Sequence, residues 1–176
     1  LLGLIFIGGG IFYYFKTPSG KKVLDKYQLK LPVFGELFTK IYVARFSTNM
    51  QTLLQGGIPI LSALKISSSV VGNSVYEKII KESMQEIKEG GQMSAALIRH
   101  KEFPDVAGQR IKIGEKTGKI DSVLETLARF YKKEVDVVVD NLTTLIEPVM
   151  IVVLGIGVAV FVVSILMPIY NVTGSF

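Results

Sequence analysis

The sequence predicts an all-α membrane protein, an antiparallel bundle of about six cytoplasmic helices flanked by two transmembrane helices, the first one truncated. Three observations support this fold class. The two ends of the chain are almost uncharged, whereas every Lys and Arg lies between Lys16 and Lys133. Apolar residues recur at helical spacing in the middle. The period-two alternation that is typical of strands is sparse.

The C-terminal apolar segment is the clearer of the two. Val149 to Met167 is a run of 19 residues without a charge. A helix of that length rises about 28 Å, close to the hydrocarbon thickness of a bilayer. A soluble helix rarely stays apolar on all sides for so long. We therefore predict a transmembrane helix over residues 145–170 and an extracytoplasmic tail over residues 171–176.

The first apolar segment, residues 1–15, is too short to cross a bilayer alone. Its positive charges follow the apolar run, whereas a secretory signal carries them before it. We interpret it as the truncated second half of a transmembrane helix, and residues 16–35 as a linker with a short amphipathic turn. Because the basic residues that flank both segments lie in the middle region, the positive-inside rule predicts that this region faces the cytoplasm.

Residues 36–144 are predicted to form the helical domain. The first helix would bury an apolar stripe made of Phe38, Tyr42, Phe46, Met50 and Leu53. Gly56 and Gly57 should end this helix, because glycine is favoured just past a helix C-terminus. Pro59 suits the first turn of the next helix.

The remaining helices of the domain are predicted from capping residues and breaks. Asn73 is expected to cap a helix whose buried side consists of Tyr76, Ile80, Met84 and Ile87. The later helices are expected from about Met93 to His100, from a capping Asp105 to about Gly114, and from Asp121 or Ser122 onward. The last helix would lead towards the membrane and bury one face, made of Leu124, Leu127, Tyr131, Val135, Val138 and Leu142.

Composition and motif content exclude several classes of function. The chain has no cysteine, which excludes a disulfide scaffold, a thiolate metal site and a Cys nucleophile. The single histidine, His100, lies near a predicted helix end, where an exposed cap is the expected role rather than a metal ligand. The lysines alternate with acids and lack an aromatic platform, so no nucleic-acid binding is expected. No catalytic signature stands out, and we expect neither an enzyme nor a cofactor.

Several short segments follow one another in an order that is specific as a combination. They are LPVFGELF (31–38), ARFSTNMQTLLQGGIPILSAL (44–64), EGGQMSAAL (89–97), FP (103–104), IGEKTGKIDSVLETLARFY (113–131), IEP (146–148) and MPIY (167–170). In these segments the chain resembles the type II secretion system F-domain family, the inner-membrane platform proteins of type II secretion systems and type IV pili. Family members carry two similar cytoplasmic helical domains and three transmembrane helices, so the resemblance implies the C-terminal half.

The resemblance implies a scaffold in the bacterial inner membrane that couples a cytoplasmic hexameric assembly ATPase to the insertion of pilin or pseudopilin subunits into a filament. Other inner-membrane assembly proteins, the lipid bilayer and further copies of the chain in a homo-oligomer are the remaining implied partners. The alternative is a membrane-anchored helical signalling module, which the short outer tail disfavours. An intramembrane enzyme or transporter would need paired polar residues deep in the spans, where only Ser164 and Glu147 are present.

Residues Gly114 to Lys119, GEKTGK, are similar to a P-loop but do not form one. Three residues separate the glycines where a P-loop needs four, and Ile120 follows the lysine where a Ser or Thr is needed. We predict a helix–turn–helix corner in which Gly114 and Gly118 permit positive φ and close backbone approach, with Glu115 as an exposed or helix-pairing charge. Contact with a partner is a second interpretation of this corner and of Gly56, Gly57 and Pro59, and it is compatible with the first.

Glu147 and Pro148 mark the start of the C-terminal span, where the proline removes one helical hydrogen bond and can kink the helix. Two interpretations of Glu147 stay open. It is either a carboxylate at the headgroup level, closing a capping box with Thr144, or a buried acid that pairs with a cation or with an incoming pilin N-terminus. Further along, Gly155 and Ala159 form a small-xxx-small pair that would let another helix approach closely.

Overall fold

The computed structural model describes residues 18–32 and 34–173, and over these residues the chain forms seven α-helices and no strand. The predicted all-α class is confirmed. The predicted first membrane segment, residues 1–15, lies outside the described residues. The helices are α1 Pro18–Gln28, α2 Phe34–Gln55, α3 Ile60–Val70, α4 Ser74–Lys88, α5 Met93–Arg99, α6 Asp105–Thr117 and α7 Ile120–Thr173.

Helix α1 occupies much of the stretch that the sequence predicted as a linker. A helix of 11 residues is marginal in isolation, so its partners in the fold decide its conformation. The Asp25 carboxylate accepts a hydrogen bond from the Ser74 amide at 2.8 Å. The Gln28 side-chain oxygen accepts one from the Tyr42 hydroxyl at 3.3 Å. These two bonds attach α1 to α4 and α2.

Helix α2 ends where its glycines predict. Gly57 adopts a left-handed φ of 76°, and the amide of Ile58 donates to the Leu53 carbonyl at 3.0 Å. This bond satisfies one of the carbonyls that a helix leaves free at its C-terminus. Pro59 stands in extended conformation directly before the first residue of α3.

Helix α4 begins at the predicted cap. The Asn73 side-chain oxygen accepts hydrogen bonds from the amides of Val75 at 2.9 Å and Tyr76 at 3.3 Å, which satisfies two free amides of the first turn. Tyr76 and Ile80 are buried as predicted, and Ile79 is buried beside them. Met84 and Ile87, which were predicted on the same face, are only partly buried.

Two boundaries of the later helices differ from the prediction. Asp105 is the first residue of α6 and makes no side-chain cap hydrogen bond, so its predicted capping role is wrong; Pro104 holds the cap position. Helix α6 also runs to Thr117, three residues beyond the predicted end at Gly114. The left-handed residue that ends it is Gly118, with a φ of 67°.

Helices α2 to α6 and the first part of α7 share one hydrophobic core. Its centre is aromatic: Phe46 and Phe103 meet edge to face at 5.9 Å, and Tyr42 and Tyr76 lie 5.2 Å apart between ring centroids. From α7 the core receives Leu124, Leu127 and Tyr131, as predicted. Val135, Val138 and Leu142, which were predicted on the same face, are only partly buried and lie outside the core. Large aromatic side chains bury more apolar area than other residues, so these contacts dominate the stability of the bundle.

An ion-pair network ties α2 to α7 at the edge of this core. The Lys40 ammonium lies 2.9 Å from a carboxylate oxygen of Glu36 and 2.9 Å from one of Glu134. Hydrogen bonds to these two carboxylates raise the pKa of Lys40 above its ordinary value. Lys40 therefore stays charged throughout the physiological range and holds both helices.

The chain divides into two compact units, Leu1–Val135 and Asp136–Phe176. In the second unit, helix α7 exposes apolar side chains on all sides from Val149 to Val163. Among the described residues it is the one helix that is long and apolar enough to cross a membrane. The helix is unbroken at its predicted start: the Thr144 hydroxyl donates to the Asp140 carbonyl at 3.1 Å, so Thr144 is mid-helical and its predicted capping box with Glu147 is wrong.

Candidate functional site

Glu115 ties helix α6 to the start of helix α5. Its carboxylate accepts hydrogen bonds from the backbone amides of Met93 at 2.7 Å and Ser94 at 3.1 Å. Gln92, at the cap position of α5, makes no side-chain cap bond. A carboxylate at a helix N-terminus satisfies free amides and interacts favourably with the helix dipole. Glu115 thus caps α5 from a distant position in the chain, and its charge pairs α6 with α5.

The corner between α6 and α7 depends on its two glycines for different reasons. Gly118 adopts the left-handed conformation, which costs a side-chain-bearing residue free energy. At Gly114, an added Cβ would lie 3.2 Å from the Ile120 Cα and 3.1 Å from a methyl carbon of Val123. Gly114 lies within α6 and does not use the positive φ predicted for it, but it permits the close approach of the two helices. The outer residues, Lys116 to Lys119, are exposed and open to a partner.

The second corner, between α2 and α3, has exposed Gly56, Gly57 and Pro59. No hydrogen bond or ion pair among residues 18–32 and 34–173 joins it to the Gly114–Gly118 corner. A Cβ at Gly57 would meet nothing within 4 Å, so only its backbone conformation requires glycine.

An open groove of about 690 Å³ lies between α1, α4 and the loop after α5. His100 in this groove was expected to be an exposed cap; it is the C-cap residue of α5, and its ring nitrogen Nε2 lies 2.6 Å from a Glu82 carboxylate oxygen. This hydrogen bond lowers the pKa of Glu82 below its ordinary value. No local sequence pattern indicates this pair, because 18 residues separate its members.

Asp25 is a further residue that the sequence analysis did not single out. Its side chain is buried, and its carboxylate caps α4 together with Asn73. The side-chain nitrogen Nδ2 of Asn73 also donates to the backbone carbonyl of Asp25 at 3.2 Å. The one available signal was that Asp25 is a single acid among several lysines. A hydrogen bond that spans 49 residues leaves no local sequence pattern.

The predicted residues of the span lie within α7. The helix is continuous through Glu147 and Pro148, and both residues are exposed. Gly155 and Ala159 are one turn apart on one face, and a Cβ at Gly155 would meet nothing within 4 Å. In the part of the chain that the structure describes, no three acidic or histidine side chains cluster as metal ligands would.

The chain matches the family model of the type II secretion system (T2SS) protein F over residues 46–168. It is 38% identical to the type IV pilus assembly protein PilC of Thermus thermophilus, an alignment that covers 99% of this chain and 44% of that protein. Its identity to PilC of Myxococcus xanthus is 38%, over 92% of this chain and 39% of the relative. The type II secretion system protein F of Xanthomonas campestris is 30% identical, over 91% of this chain and 40% of that protein.

The chain therefore spans less than half the length of these relatives. The matched residues include most of the helical bundle and the apolar part of α7, and the resemblance seen in the sequence is confirmed. The chain belongs to the type II secretion system protein F family.

Proposed function

We propose that the chain is part of an inner-membrane platform protein, a non-catalytic scaffold for type IV pilus or type II secretion pseudopilus assembly. Membership of the protein F family supports this role, as do relatives named for pilus assembly and for type II secretion. The observation that carries the proposal is helix α7, because this one helix contains both core residues of the bundle and the apolar stretch.

The proposed topology has the bundle in the cytoplasm and at least two membrane-crossing helices. The positive-inside rule supports it, because the chain has 20 Lys and Arg residues and all of them precede residue 134. The apolar part of α7 contains no Lys or Arg, and after Asp140 its single acid is Glu147.

In this proposal the bundle receives a cytoplasmic hexameric ATPase, and α7 passes the resulting movement to pilin or pseudopilin subunits in the membrane. The corners at Gly56–Pro59 and Gly114–Lys119, the second exposed from Lys116 onward, are the proposed contacts for assembly proteins or for further copies of the chain. Glu147 is the proposed contact for the positively charged N-terminus of an incoming pilin, since opposite charges attract strongly where water is scarce.

Interrupting α7 between its two parts tests the coupling. Insertion of Gly-Gly after Val139 in the whole protein should abolish surface filaments while the protein remains in the membrane, because glycine weakens a helix. The matched control is an insertion of seven helix-forming residues, which adds nearly two turns and keeps the helix faces in phase. Normal filaments from the Gly-Gly variant would refute transmission through α7.

Glu147 is tested by Glu147→Gln, with Asp140→Asn as the matched control. Both substitutions remove one exposed carboxylate from α7 and change its size little. We expect electron microscopy to show filaments only for the Asp140→Asn strain. Wild-type piliation of the Glu147→Gln strain would remove Glu147 from the proposal, whereas wild-type piliation of a strain that lacks the whole protein would refute the platform role.

A further inference from the structure

Helix α1 and the turn after it expose large apolar side chains next to one another in the chain. Val23 is 46% exposed, Tyr27 66%, Leu31 48% and Phe34 47%. Val23 and Tyr27 are one turn apart and form one ridge of the helix. Single exposed apolar residues are ordinary, but a group within twelve residues indicates a surface that binds something.

Lysines accompany this apolar group. Two of them, Lys22 and Lys26, also line the open groove that they share with Glu77 and Glu82 of α4. Lys22 and Lys26 form the neighbouring ridge of α1, and Lys30 lies in the following turn; all three are exposed. None of them forms an ion pair with any residue that the structure describes. The acid of α1, Asp25, is buried against Ser74, and the next acid, Glu36, is bound to Lys40. The surface is therefore cationic as well as apolar.

The packing of α1 fixes which side of it faces outward. Asp25 and Gln28 hold the inner side through their bonds to Ser74 and Tyr42. At the turn into α2, a Cβ on Gly35 would lie only 2.6 Å from the Leu29 carbonyl oxygen, so the corner is tight. Val23 and Tyr27 thus lie on the outer side of a braced helix, and Lys22 and Lys26 lie between that side and the groove.

We propose that this outward surface, the α1 face, binds the anionic headgroups of a lipid bilayer. The α1 face consists of Lys22, Lys26 and Lys30 with Val23, Tyr27, Leu31 and Phe34. Lysine stems can lie along apolar surface while their ammonium groups reach phosphates. Helices that lie in a membrane interface combine a basic side with aliphatic and aromatic side chains in this way. The inference needs a chain held at a membrane and does not depend on any assembly partner.

Two further observations favour lipid over another occupant. In the sequence, α1 begins three residues after the apolar run of residues 1–15, which is predicted to enter a membrane. A second copy of the chain is disfavoured, because two such faces in contact would bring like-charged lysines together. An acidic protein would attract the same lysines, so the experiment below separates it from lipid.

Tyr27→Trp provides the probe. The chain contains no tryptophan, so this substitution gives a single fluorophore on the α1 face. The 176-residue chain would be reconstituted into vesicles of phosphatidylcholine alone or with phosphatidylglycerol, with or without bromine on the acyl chains. Bromine quenches tryptophan only at short range. The control is Val106→Trp on α6, a position 63% exposed beside the acidic Asp105.

We expect bromine to quench Trp at position 27 in the anionic vesicles and to leave Trp at position 106 unquenched. Replacing Lys22, Lys26 and Lys30 by Gln should lower the bound-to-free ratio of the α1 face about a hundred-fold, at about five-fold per lysine. Equal quenching in neutral vesicles, or unchanged quenching in the triple variant, would overturn the proposal. Protection from acrylamide without bromine quenching would show that protein covers the face, and would overturn it too.

Discussion

The Glu115 carboxylate accepts a 2.7 Å hydrogen bond from the Met93 amide, although 22 residues separate the two in the chain. Asp25 and Ser74 repeat the relationship at 2.8 Å across 49 residues. Helices α4 and α5 thus each begin at a carboxylate that belongs to another helix. Since the first amides of a helix have no intrahelical acceptor, each distant carboxylate links the start of one helix to the position of another.

Removal of the α5 cap should destabilise the bundle measurably. Glu115→Ala leaves the Met93 and Ser94 amides without their acceptor, and we expect a loss of about 1–2 kcal/mol in the free energy of unfolding. Thermal unfolding in detergent, followed by circular dichroism, measures it. Lys116→Ala changes the neighbouring exposed residue and should have little effect. Equal melting temperatures for the two variants would show that the cap contributes nothing.

The two glycines of the α6–α7 corner should respond differently to substitution. Gly118→Ala strains only the backbone and should cost about 1 kcal/mol, while Gly118→Asn should cost less because Asn tolerates the left-handed conformation. Gly114→Ala should cost more than either, because its Cβ would press on Ile120 and Val123. Chemical denaturation of the three variants gives the order. If Gly118→Asn is the least stable of the three, this account of the corner fails.

Release of α1 should follow loss of the Asp25 carboxylate. Asp25→Ala removes the acceptor of the Ser74 amide, at a cost of about 1–2 kcal/mol. We expect hydrogen exchange of the α1 amides and of Ser74 to accelerate about tenfold or more, since 1.4 kcal/mol corresponds to a factor of ten. Lys26→Ala, on the exposed side of the same helix, is the control and should exchange as the wild type does. Unchanged protection in Asp25→Ala would mean that other contacts hold α1.

The Glu82–His100 pair should make stability depend on acid pH. The hydrogen bond from His100 lowers the pKa of Glu82 below its ordinary value of 4.5. The pair therefore stabilises the fold above pH 4.5, and this contribution is lost as the pH falls through the lowered pKa. The Glu82 side chain is 38% exposed, so solvent screening keeps the effect small.

Glu82→Gln removes this contribution together with that of the Lys78–Glu82 ion pair, which also favours the charged carboxylate. Its melting temperature should lie below that of the wild type at pH 6 and converge with it towards pH 3. Asp136→Asn removes an exposed acid in the interior of α7 that has no ion pair among the described residues, and its difference from the wild type should not change with pH in this way. A Glu82→Gln deficit that persists at pH 3 would contradict the lowered pKa.

The sequence predicted the parts of this fold that neighbouring residues decide. Gly57 ends α2 and Asn73 starts α4 through bonds that span five residues or fewer, so their chemistry is visible in a short window. Most of the core stripe of α2 was likewise evident from spacing, because Tyr42, Phe46 and Met50 recur one turn apart, whereas Phe38 and Leu53 of the same predicted stripe are only partly buried.

Features decided by distant residues could not be predicted from local pattern. Helix α1 was interpreted as a linker because its stabilising partner, the start of α4, lies far along the chain. Glu115 was singled out, but its target at Met93 was not identifiable from spacing. For Asp105 the local signal was misleading, since an acid in the first turn favours a helix start whether or not it caps it.

The two distant caps also impose a direction on folding during synthesis. Asp25 leaves the ribosome before Ser74, so its carboxylate is already available to accept the Ser74 amide when α4 emerges. For α5 the order is reversed: at 5–20 residues per second, Met93 emerges roughly one to four seconds before Glu115. A nascent chain thus passes through a stage in which both partners of the α4 cap have been synthesised, while the first amides of α5 still lack the Glu115 carboxylate.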